Sequence, residues 1–82
     1  MDVEHLIVMA NQIGQFYEAL PNRDEALAGA AGHLRRFWDP RMRKALLARL
    51  DADGGHGLRP FMLDAVRTHR AQIEPRAAFS VG

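Results

Sequence analysis

From Val3 to Ile73 the apolar residues recur at three- and four-residue intervals and nowhere alternate, so the chain has a helical repeat to satisfy and no strand repeat. Four prolines, at 21, 40, 60 and 75, cut that repeat into short lengths. Val3, Leu6, Ile7, Ala10, Ile13, Phe16, Tyr17 and Leu20 share a broad arc of a first helix, with Glu4, Asn11, Gln12, Gln15 and Glu18 opposite, and Pro21 stops it. Asn22, with Glu25 three residues on, is a capping-box-like start for a second helix. Its inward stripe is Ala26, Leu27, Ala30, Ala31, Leu34, Phe37 and Trp38. Gly29 and Gly32 are poor helix formers and predict a close approach by another backbone.

At Trp38-Asp39-Pro40 the chain must turn, because proline disfavours helical geometry in the residue before it. Asp39 then serves as N-cap and Pro40 as the first residue of a third helix lined by Met42, Leu46, Leu47 and Leu50. Asp51 to Gly57 reads as a loop, and a fourth helix starts at Pro60 and ends at Pro75. Phe61, Met62, Ala65, Val66 and Ile73 face inward on it. The expectation is an all-α fold: a compact bundle of about four short helices forming one domain over residues 1–74. A flexible tail follows over 75–82, with Phe79 as an anchor.

An 82-residue chain allows one core, and the absence of cysteine excludes disulfides, thiolate zinc sites and cysteine-ligated iron–sulfur clusters. No apolar run is long enough for a membrane span, and Asp2 and Glu4 precede the first apolar stretch, unlike a secretory leader. The expected setting is a reducing, cytoplasmic one. Charge is segregated: residues 1–34 carry a net −4, residues 35–50 a net +5, and the remainder balances. Lys44 is the only lysine beside ten arginines, a bias that favours defined carboxylate or phosphate contacts.

Little in the chain resembles a reaction centre. Asp51-Ala52-Asp53 opens like a calcium loop, but His56 and Met62 stand where glycine and glutamate are needed. His5, His33, His56 and His69 lack metal-ligand spacing, and His69, near Val66 and Ile73 on the apolar arc, reads as a buried histidine bonded to backbone or carboxylate. Ser80 is the only serine, and the carboxylates are scattered. Arg43 falls inside the apolar stripe of the third helix, so it must snorkel, pair internally or face a partner protein. The basic stretch Arg35–Arg49 around a helix–turn–helix invites a nucleic-acid reading. The overall charge of +1, and an exposed side of Arg41, Lys44 and Ala48 without base-reading side chains, argue against it. The arc of the first helix is wide enough to leave part of itself for an interface, unless the other helices surround it. Beside it, Asn11, Gln12 and Gln15 offer directional hydrogen bonds.

Three segments together point to a family. Met9-Ala10-Asn11-Gln12-Ile13-Gly14, the run Ala31-Gly32-His33-Leu34-Arg35-Arg36-Phe37-Trp38-Asp39-Pro40-Arg41-Met42-Arg43, and the glycine-rich loop leading to Gly57-Leu58-Arg59-Pro60 resemble the delta subunit of NAD-dependent formate dehydrogenase. The resemblance runs from about Val3 to Val66, and Arg59 departs from it where the pattern has an acidic or small capping residue. It implies a small accessory subunit with no cofactor of its own, supporting assembly or stability by docking on the catalytic alpha subunit. The complex implied also contains beta and gamma subunits, and carries a bis-pterin molybdenum or tungsten cofactor, iron–sulfur clusters and FMN.

On that reading the partner-facing residues are Asn11, Gln12, Gln15, Arg35, Trp38, Arg41 and Arg43, with Trp38 and Arg41 or Arg43 as central anchors. The alternative for Trp38 is closure of the domain's own core. No nucleic acid or membrane is expected as partner, and the isolated chain is expected to self-associate through any surface its partner covers. A maturation chaperone for the alpha subunit or its pterin cofactor is the alternative function, and a nucleic-acid-binding regulator is another.

Overall fold

The caps foreseen at two junctions set the element boundaries. In the computed structural model, which describes residues 1–75, the order is α1 (Val3–Glu18), α2 (Arg23–Phe37), α3 (Pro40–Asp53), α4 (Pro60–Thr68) and α5 (Arg70–Ile73). The described residues contain helices and connections and no strand. Asn22 Oδ1 accepts from the Glu25 backbone N–H at 2.9 Å, and Asp39 Oδ1 accepts from the Met42 N–H at 3.0 Å, so α2 and α3 begin with an orphan donor satisfied. Asp2 does the same for α1 through the N–H of Glu4. Trp38 and Asp39 are extended, with ψ of 133° and 165°, and make the α2–α3 corner that Pro40 requires.

The later boundaries differ from the expected ones. Helix α3 runs on to Asp53, so the loop begins at Gly54 and not at Asp51. It stops there because Gly54 adopts φ +77°, a left-handed conformation that glycine enters without a Cβ penalty, and its N–H closes on the Leu50 carbonyl. The anticipated single fourth helix breaks at His69 (φ −112°, ψ 29°) into α4 and the one-turn α5. His69 is half-buried at this break, not enclosed in a core, and its Nδ1 lies 3.5 Å from the Gln72 amide nitrogen. Phe79 and the expected tail beyond Pro75 lie outside the described residues.

The core joins Leu6, Ile7 and Ala10 of α1, the Ala26–Leu34 stripe of α2, Trp38, the α3 leucines, Leu58, and Phe61, Met62, Ala65, Val66 and Ile73. Leu34, Leu46, Met62, Val66 and Ile73 are its largest fully enclosed side chains. Helix α1 approaches α4 closely at Gly14, where a Cβ would fall 2.3 Å from Met62 Cγ. Gly29 also accommodates a neighbour, but a side chain instead of the backbone expected: a Cβ there would meet the Tyr17 ring at 2.8 Å. A Cβ at Gly32 would meet nothing within 4 Å.

Arginines join the helices. Arg43, 8% exposed, forms none of the internal ion pairs foreseen for it. Its Nε donates to the Trp38 carbonyl at 3.2 Å and one terminal nitrogen donates to the Ile73 carbonyl at 3.1 Å. Arg35 donates to the Gln72 carbonyl at 3.2 Å, so two guanidiniums bond carbonyls in the last turn of the short α5. Arg70 grips Asp51 of α3 through two parallel bonds of 2.9 and 2.8 Å, Arg23 of α2 meets Asp64 of α4 at 2.8 Å, and Arg49 of α3 meets Glu4 of α1. Asn11 clips the α3–α4 loop, its amide donating to the Gly57 carbonyl and its Oδ1 accepting from the Arg59 N–H, each at 2.9 Å. That clip, with Pro60 at the first helical position, starts α4 although Arg59 supplies no side-chain cap.

Two measurements test this account. Arg43→Met retains the apolar stem but removes both donors from buried carbonyls, each worth about 1–3 kcal/mol when left unpaired. It should destabilise the chain by about 2–4 kcal/mol and lower Tm by roughly 10–20 °C in thermal denaturation. An unchanged Tm would remove Arg43 from its place as a joint.

The hydrogen bonds from Arg70 and Arg23 hold the Asp51 and Asp64 carboxyls below their ordinary value of 3.8. A carboxyl whose folded pKa is depressed stabilises fully above its unfolded pKa and loses that contribution as pH falls through the folded value. Tm should therefore decline from about pH 5 downward, and Asp51→Asn combined with Asp64→Asn should flatten that acid limb. Because both carboxylates are exposed, the shift at neutral pH should be no more than a few degrees.

Candidate functional site

Two of the largest exposed apolar side chains, Phe16 and Phe37, are 67% and 65% open to solvent. Phe37 was expected on the inward stripe of α2. The chain turns directly after it, and Trp38, 5% exposed, takes the interior position at the corner. The two phenylalanines end a continuous aromatic row across α1 and α2. Phe16 meets Tyr17 edge-on with ring centroids 5.0 Å apart, Tyr17 meets His33 at 6.1 Å, and His33 meets Phe37 at 4.8 Å. Leu20, 40% exposed, extends the α1 side, so Met9, Ile13, Phe16 and Leu20 form a flank at i, i+4, i+7 and i+11.

Between this flank and α2 lies an open groove of about 480 Å³, lined by Met9, Gln12, Ile13, Phe16, Tyr17 and His33. Its lining contains no formally charged carboxylate, lysine or arginine, and its polar groups are the Gln12 amide, the Tyr17 hydroxyl and the His33 imidazole. At the Phe37 end the Arg36 guanidinium stands 5.4 Å from the ring centroid. No carboxylate lies within 4 Å of Arg36 among the described residues. Apolar walls with a polar rim and a cation at one end suit protein association better than bond-breaking chemistry.

The residues singled out from the sequence do not gather into one patch. Gln12 lies in the groove, and Gln15 is exposed on the same helix. Asn11 is occupied by the α3–α4 loop, and Arg35 by the Gln72 carbonyl. Trp38 and Arg43 are buried in the domain's own core. Arg41 is exposed, its side chain 86% open, and reaches Asp39 only at 4.0 Å. Phe16, Tyr17, His33 and Phe37 lie outside the set of residues the sequence marks as partner-facing. The width of the α1 arc is a signal for Phe16 and Tyr17, and nothing comparable marks His33 and Phe37 on α2.

Among the described residues no group of three or more His, Cys, Asp or Glu side chains is placed to hold a metal ion, and the sequence has no cysteine for an iron–sulfur cluster. Nor is any helix of the described residues long and apolar enough to cross a membrane.

If the groove walls are free surface, their truncation should leave the fold nearly intact. Phe16→Ser and Phe37→Ser should each change stability by less than about 1 kcal/mol, whereas Ile73→Ala, in the enclosed core, should cost about 2–5 kcal/mol. Thermal denaturation followed by circular dichroism compares them. A loss at Phe16 or Phe37 equal to that at Ile73 would make the row part of the core.

No curated protein and no solved structure matches the chain. A family model does match, described as the NADH-dependent formate dehydrogenase delta subunit FdsD, over residues 5–66. That span takes in nearly all of α1, the aromatic groove, the α2–α3 corner and most of α4. The matched residues cover well over half of the sequence, and the chain belongs to the delta-subunit family of NADH-dependent formate dehydrogenase.

Proposed function

We propose that this chain is a non-catalytic accessory subunit that docks on the catalytic alpha subunit of a cytoplasmic formate dehydrogenase and supports assembly or stability of the complex. The observation that carries this reading is the exposed aromatic groove, a surface with much apolar area and no catalytic constellation around it. The bis-pterin metal, the iron–sulfur clusters and the flavin belong, on this reading, to the alpha, beta and gamma subunits. Formate oxidation and electron transfer to NAD take place there, and this chain contributes contact area. Gln12, in the groove lining, is a polar contact beside the apolar ones, and Gln15 and Arg41 are exposed elsewhere on α1 and α3.

The test is purification of the complex through a tagged alpha subunit. The chain should be retained in a one-to-one ratio with alpha through gel filtration. Complexes made without it should dissociate or lose activity sooner, and the purified chain alone should not reduce NAD with formate. Turnover by the isolated chain would refute a non-catalytic role. A chain that binds the immature alpha subunit but is missing from the finished enzyme is a maturation chaperone instead.

A further inference from the structure

We infer that the α1–α2 groove receives an amphipathic helix of a partner subunit, laid along Met9, Ile13, Phe16 and Tyr17 and carrying a carboxylate on its flank that pairs with Arg36. The inference rests on the accessory-subunit reading and specifies what occupies the groove.

The form of the occupant follows from the walls. Helices α1 and α2 are consecutive and joined by the short Ala19–Asn22 connection, so they run as a hairpin with a notch lined by α1 and α2 residues. The apolar flank on α1 repeats at helical spacing over Met9, Ile13 and Phe16, a rise of about 10 Å or two turns, with Leu20 just past the helix end. A third helix set into such a notch meets that ridge along its length with side chains of the same period. An extended peptide finds nothing to pair with, because both walls are helices whose backbone groups are bonded internally and neither offers a strand edge. A small molecule requires converging polar groups, and the groove's polar atoms are few among aliphatic and aromatic walls.

The charge of the occupant follows from Arg36. Arg23, Arg49 and Arg70 each have a carboxylate within 3 Å, whereas Arg36 has none within 4 Å among the described residues and rests over Phe37, the ring next to the groove-lining His33. A guanidinium held in place by an aromatic ring is oriented to bind a carboxylate with little further loss of freedom. A second copy of this chain fits less well. Its α1 flank from Met9 to Leu20 presents Gln12 beside the apolar residues, and the acid in that stretch, Glu18, lies on the opposite arc of the helix.

The experiment uses the full-length chain in the purified complex, with a benzophenone amino acid at position 16 or 37. Both positions should cross-link to one helical segment of another subunit that contains Asp or Glu within a turn of the attachment point. Independently, Arg36→Glu should weaken retention at least tenfold, whereas Lys44→Glu, on the exposed side of α3, should change it less than twofold. Thermal denaturation of the two variants should coincide, which excludes misfolding as the cause. Cross-links to a second copy or to a non-helical segment, or equal behaviour of Arg36→Glu and Lys44→Glu, would overturn the inference and leave the accessory role standing. The same holds for a retained chain that cross-links from neither position. A wild-type chain absent from the complex would overturn both.

Discussion

A buried guanidinium holds the two halves of this domain together. Arg43 enters the core from α3, bonds the carbonyl of Trp38 at the end of α2, and bonds the carbonyl of Ile73 thirty residues later. Burying a charge without a counter-ion is costly, and the arrangement works because two of the guanidinium's donors each meet a main-chain carbonyl. One side chain thereby fixes the α2–α3 corner and seats α5 against it. Once that corner is fixed, Trp38 faces inward, and the residue before it on the helix is left outside.

The sequence revealed the helices far better than their exposure. Asn22 and Asp39 mark helix starts because capping is settled by atoms within three residues, and Pro40 forces the corner locally. The break at His69 has no such mark. Residues 60 to 73 hold a helical repeat throughout, and α5 is drawn into place by Arg35 and Arg43 from a distance. Periodicity likewise placed Phe16 and Phe37 on apolar faces without showing which part of each face the neighbours would cover. Trp38, Arg43 and Asn11 stood out as unusual residues for their positions. Their uses proved internal, and recognising that requires partners 30 to 48 residues away.

The arginine bias has a structural explanation that composition did not disclose. Arg23, Arg35, Arg43, Arg49 and Arg70 each reach from one helix to another or to its terminal carbonyls. A small core of alanine and leucine leaves helices in need of lateral ties, and a planar fork with five donors makes several at once. The basic stretch at residues 35–50 is thus partly consumed inside the molecule, which weakens it further as a nucleic-acid surface. The exposed remainder, Arg36, Arg41 and Lys44, lies on α2 and α3 around and beyond the corner.

The contact between Gly14 and Met62 lies on the core-facing side of α1, outside the groove lining. It determines how deeply α1 settles onto α4, and α1 is also one bank of the channel between α1 and α2. A hydrogen atom at position 14 therefore acts as a shim beneath the helix. Any bulkier group there must push the Met62 side chain aside or lift that bank and change the channel's width, so its receptivity could be retuned from a residue that no visitor ever touches.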